Sequence, residues 1–99
     1  MNRVIFSIKY EVKENQREEY LIAVKELKSL ITSEGLIEYT VFENLKKKNN
    51  FEEIYIFENQ EAFDDFDDVP NERVSILMNK ITSLLVDKTS KYSTIKEVI

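Results

Sequence analysis

Ninety-nine residues, 42% hydrophobic and 33% charged with one Gly and one Pro, describe a packed chain with a single core and exclude a flexible or low-complexity one. A net charge of -5 argues against a nucleic-acid partner, which needs clustered Lys and Arg, and the only basic run, Lys46-Lys47-Lys48, sits in a turn as a solvated patch. The absence of Cys and His excludes disulfides, thiolate metal sites, a Cys nucleophile and Ser-His-Asp catalysis, and one glycine cannot build a phosphate loop.

Val4 to Val12 alternates Val4, Phe6, Ile8, Tyr10 and Val12 against Ser7, Lys9 and Glu11, which predicts a first strand. Asn15, three residues before Glu18, offers a capping box for a helix with a stripe of Tyr20, Ala23, Val24, Leu27, Leu30 and Ile31. Ser33-Glu34-Gly35 ends it, with Gly35 suited to a left-handed conformation.

Leu36 to Glu43 and Glu53 to Glu58 read as strands joined by a polar hairpin loop, Asn44 to Asn50. Here the alternation blurs. Ile37, Tyr39 and Val41 oppose Leu36 and Phe42, and Ile54 and Ile56 oppose Tyr55 and Phe57, so both faces of the sheet carry large apolar groups. A homodimer that covers the second face explains this most simply.

Asn59 caps a helix over Glu61 to Asp68, which breaks at Val69-Pro70; a further helix runs from Asn71 to Asp87 on Val74, Leu77, Met78, Ile81, Leu84 and Leu85. Tyr92 to Val98 forms a last strand. The order β-α-β-β-α-β is that of a ferredoxin-like α+β sandwich spanning 1–99 as one domain, with strands one and three at the centre. No stretch approaches a signal or membrane segment, so a cytoplasmic location is the default expectation and no membrane partner is expected.

Several segments together resemble a known family. Lys13-Glu14-Asn15 opening a charged helix, Gly35-Leu36-Ile37-Glu38-Tyr39, the run Ile56-Phe57-Glu58-Asn59-Gln60-Glu61-Ala62-Phe63 and the Val69-Pro70 break are similar to the antibiotic-biosynthesis-monooxygenase-like domain of the dimeric α+β barrel superfamily. The resemblance implies two sheets paired face to face in a homodimer. It also implies a pocket that serves, in cofactor-independent members, a quinol-type substrate which itself activates oxygen. Three departures weigh against haem chemistry: Phe57 stands where relatives usually carry Trp, Phe66 where many carry His, and Ser7 about where haem-degrading members use Asn.

Of the nineteen acids, nine lie between Phe51 and Glu72 with no Lys or Arg among them. Asp64-Asp65-Phe66-Asp67-Asp68 lacks the spaced loop of a calcium site and is read as a solvated helical face, so no metal or cofactor is expected. Tyr10, Phe57, Phe63 and Phe66 form a candidate apolar ligand pocket, with ordinary core packing as the rival reading. Arg73 is the one cation near it, to orient an anionic ligand or simply to sit on the surface.

The functional expectation is a protein that binds a small apolar or aromatic molecule without metal or haem. The alternative is a cofactor-independent monooxygenase or isomerase, with Tyr39, Tyr55 and Ser7 as its candidate catalytic groups.

Overall fold

The computed structural model describes residues 2–99. Strands β1 (Val4–Glu11), β2 (Leu36–Glu43), β3 (Asn50–Phe57) and β4 (Lys91–Lys96) form one antiparallel sheet in the order β2-β3-β1-β4. Strands one and three are central, as the element order predicts. Helices α1 (Arg17–Leu30), α2 (Gln60–Asp64) and α3 (Glu72–Ser83) complete the α+β ferredoxin-like fold.

The inward phase of β1 is Val4, Phe6, Ile8 and Tyr10, which pairs with Phe57, Tyr55, Glu53 and Phe51 of β3. Tyr20, Ala23, Val24 and Leu27 of α1 and Val74, Leu77 and Ile81 of α3 close over this face. Fully burying side chains such as Tyr20, Leu27, Phe57 and Val74 contributes roughly 1.5–3 kcal/mol each for the larger apolar ones.

Several boundaries differ from the sequence reading: β3 begins at Asn50 and not Glu53, β4 ends at Lys96 and not Val98, and the helix ends shift as well. A 3₁₀ turn over Glu14–Gln16 precedes α1, and no side chain caps that helix, so the expected Asn15 box does not form. Helix α1 stops at Leu30, and Ile31 is extended but still buried. Gly35 then takes φ +83° in the turn into β2 and not at the helix end itself. There its α-carbon lies so close to the Ala62 side chain that any Cβ would collide with it.

Strand β2 carries an irregularity between Leu36 and Glu38. One extra residue shifts the alternation, so Leu36, Tyr39 and Val41 all pair with inward positions of β3 while Ile37 is 56% exposed. The blurred pattern of this strand is a bulge.

Helix α2 is capped by Asn59, whose Oδ1 accepts from the Ala62 amide, but it ends at Asp64. The rest of the acidic run therefore lies in the loop before α3, not on a helical face. Helix α3 is capped by Asn71 and ends at Ser83, short of Asp87. Its successor residues pair with the end of β1 and the residues just after it: Val86 donates to the Glu11 carbonyl and Lys13 to that of Leu84.

The face opposite the helices presents Ile5, Ser7 and Lys9 of β1, Ile54 and Ile56 of β3, and Ser93 and Ile95 of β4. Ile95 is 58% exposed there, as is Phe42 of β2 at 52%. No helix among the described residues is long and apolar enough to cross a membrane.

Candidate functional site

Between the sheet and α3 lies a cavity of about 480 Å³. Strand β1 supplies Phe6, Ile8 and Tyr10, and β3 supplies Glu53 and Tyr55. Leu27 of α1, Phe63 of α2 and Phe66 close one side, and Met78, Ile81 and Leu85 form the other. Exposed Asp68, Thr82, Ser90 and Tyr92 frame its mouth. The ring of Phe6 stands 5.6 Å from that of Tyr55, 6.0 Å from Phe63 and 6.3 Å from Tyr92.

The polar part of this apolar chamber is Glu53. It occupies the inward phase of β3 between Phe51 and Tyr55, and it is only 6% exposed. Its Oε2 accepts from the Tyr10 hydroxyl and its Oε1 from the Tyr39 hydroxyl, both at 2.6 Å. The Tyr10 and Tyr20 oxygens are 2.7 Å apart, which extends the network into α1.

Burial pushes the Glu53 carboxyl above the usual carboxylate range, and the hydroxyls of Tyr10, Tyr39 and Tyr55 oppose that rise. Burial likewise pushes all four tyrosines upward, with the nearby Glu53 charge adding to the effect, so each stays a neutral donor. The Tyr55 hydroxyl approaches Glu53 from the cavity wall as well, the third phenol to favour its ionised form.

The structure divides the residues singled out in the sequence. Tyr10, Tyr55, Phe63 and Phe66 share the cavity wall. Phe57 lies behind it, fully buried against Phe63 and Phe66 at 5.5 and 5.1 Å between ring centres. Tyr39 is buried and spends its hydroxyl on Glu53. Ser7 sits on the opposite face of the sheet, between Ile54 and Ser93. Arg73 forks onto Glu26 of α1 at 2.5 Å, half-exposed and away from the cavity lining.

Glu53 is the residue that sequence reasoning missed, because it was counted in an acidic stretch assigned to solvent. A carboxylate in the apolar phase of Phe51, Glu53, Tyr55 and Phe57 was the signal.

A second depression of about 510 Å³ lies beside the hairpin, walled by Lys9, Lys47, Lys88 and Lys91 together with Glu43 and Glu52. The buried Glu53 does not line it.

Residues 3–71 match the family model described as antibiotic biosynthesis monooxygenase. The chain belongs to that family. Among curated proteins no sequence match is found. Solved structures similar to it include a conserved protein from Methanosarcina mazei Go1, 17% identical with a TM-score of 0.81 over 99% of this chain and 95% of that one. A conserved protein from Bacteroides thetaiotaomicron, described as a possible oxidoreductase, is 21% identical with a TM-score of 0.75 over 97% and 98%. SnoaB, a cofactor-independent oxygenase from Streptomyces nogalater, is 15% identical with a TM-score of 0.72 over 94% and 90%. At such identities these structures share the antibiotic biosynthesis monooxygenase fold with this chain, and the chemistry rests on its own residues.

Proposed function

We propose that this antibiotic biosynthesis monooxygenase domain binds a small, largely apolar aromatic molecule in the cavity between sheet and α3, without metal or haem, and works as a homodimer. The observation that carries the reading is the combination of an aromatic-walled chamber of about 480 Å³ with one buried carboxyl held by phenols at its wall. Apolar walls supply affinity and a few polar groups fix orientation, which is the usual composition of a small-molecule site.

The homodimer reading is supported by the helix-free face, where half-buried Ile5, Ile54 and Ile56 lie together with exposed Ile95. A sheet with helices on one side commonly keeps its other side polar, and a second copy of the same face offers an apolar cover.

A catalytic reading has one observation in its favour. A carboxyl raised by burial, with the Tyr55 phenol beside it on the cavity wall, suits proton transfer to or from a bound aromatic hydroxyl, as a cofactor-independent oxygenase or isomerase requires. In that case Tyr55→Phe abolishes most turnover at little cost in stability.

Native mass spectrometry of gently purified protein tests the binding reading. A dimer with bound small-molecule mass supports it. Protein that arrives empty and takes up no aromatic compound from a small-molecule panel overturns it.

A further inference from the structure

The cavity contains two carboxyl groups, Glu53 and Asp68, and no Lys or Arg, in a chain with 14 basic residues. The ion pairs among the described residues are Arg3–Glu97, Arg17–Glu43 and Arg73–Glu26, all at the surface. Glu53, which is far more buried than any of these acids, has phenol donors but no counter-charge. A buried carboxylate without a cation is unfavourable, and proteins normally supply the missing charge or leave the group protonated.

What surrounds Glu53 is suited to a cation from outside. Phe6, Tyr10, Tyr55, Phe63, Phe66 and Tyr92 line the same chamber, and aromatic faces attract ammonium groups within about 6 Å of the ring centre. Tyr10 and Tyr39 each occupy one lone pair of the Glu53 carboxylate and Tyr55 approaches it too, which still leaves an acceptor site for a ligand N–H.

We propose that the cavity selects an organic cation: an amine or quaternary ammonium on a small apolar or aromatic body, with Glu53 as its buried counter-ion and Asp68 as the acid at the entrance. This rests on the binding role proposed above and names the class of molecule. An anionic ligand meets two carboxyl groups and no cation here. A neutral aromatic gains the apolar walls but leaves Glu53 unmatched.

The charge coupling also sets a pH dependence. The groups facing Glu53 are Tyr10 on β1, Tyr20 on α1, Tyr39 on β2, Tyr55 on β3 and Asp68 at the mouth, while Met78, Ile81 and Leu85 bring no charge. Because burial favours the protonated form of Glu53, an arriving cation displaces its proton. Affinity for the cation therefore rises with pH until Glu53 is ionised in the empty cavity as well.

Three probes of nearly the same shape test this: phenyltrimethylammonium, its uncharged carbon analogue tert-butylbenzene, and the anion benzenesulfonate. Dissociation constants are measured by ligand-observed NMR on the whole chain between pH 5 and 8. The expected result is about a tenfold preference for the cation over tert-butylbenzene, rising with pH, with benzenesulfonate unbound. Glu53→Gln is expected to bring cation and neutral probe to near-equal affinity while tert-butylbenzene still binds. Should that variant fail to fold, Asp68→Asn on the exposed rim is expected to weaken the cation alone, about twofold to threefold.

Equal binding of cation and neutral probe, or a preference for the sulfonate, overturns the cation assignment and leaves the cavity as a binding site. If none of the three binds, the cation assignment and the small-molecule reading fail together.

Discussion

The Tyr10 hydroxyl on β1 donates to Glu53 Oε2 on β3 at 2.6 Å, beneath helices that exclude water from both. The same oxygen of Tyr10 meets Tyr20 at 2.7 Å, and Tyr39 holds the other carboxyl oxygen, so four side chains from four elements share one network. Every member depends on the others, since an orphaned polar group in such a place loses its water and gains nothing.

Tyr10→Phe leaves Glu53 Oε2 without its donor and is expected to cost about 1–3 kcal/mol, read by urea unfolding. Tyr10→Phe combined with Glu53→Gln is expected to cost less than the sum of the two single changes. Strict additivity would mean that the network carries no coupling.

Glu53 gives stability a definite pH dependence. Its folded-state pKa lies above the ordinary value of 4.5, so its contribution is fully present below 4.5 and is lost as pH rises through the folded value. Glu43 behaves oppositely. The Arg17 guanidinium, aided by the Asn49 amide, holds its carboxyl at about 2, so its contribution exists above 4.5 and disappears as pH falls toward 2. Glu53→Gln should therefore gain Tm relative to the parent protein as pH rises above 4.5. A constant Tm difference across that range would be evidence against a raised Glu53.

Gly35→Ala faces two penalties, a left-handed backbone at φ +83° and a methyl group driven into Ala62. Loss of roughly 2–4 kcal/mol is expected from strain and overpacking together. Adding Ala62→Gly removes the collision but not the backbone strain, so partial recovery in chemical denaturation is the expected outcome. Full recovery would show that φ at this position is inconsequential.

Ile56 belongs to the helix-free face of the central strand β3. Under the homodimer proposal, Ile56→Asp places a charge in the middle of the joint surface and converts the dimer to a folded monomer. Sedimentation velocity with circular dichroism reads both properties. A parent protein that sediments as a monomer at every concentration removes the proposed cover of this face.

Much of the fold was legible in the sequence because it depends on local periodicity. Alternation of Val4, Phe6, Ile8 and Tyr10, the apolar stripes of α1 and α3 and the Asn59 cap act within a few residues of themselves, and each produced the element it predicted. Boundaries were lost where a partner distant in sequence intervened. The bulge after Leu36 follows pairing with β3, and α3 ends early where Lys13 and Glu11, at and just beyond the end of β1, take the backbone of Leu84 and Val86.

For the site, the sequence alone determined the available chemistry: no thiol, no imidazole, and carboxyls and phenols as the only candidates for acid–base work apart from lysine. It also singled out Tyr10, Tyr55, Phe63 and Phe66 of the wall, but not Phe6 or Tyr92. Only the tertiary structure decided their grouping. It moved Ser7 to the far face, tied Arg73 to Glu26 and spent Tyr39 on a buried partner. It also made Glu53 the centre of the cavity, because burial is a property of what packs against a residue and not of the residue itself. A glutamate among eight other acids reads as solvated until two helices and three tyrosines close over it.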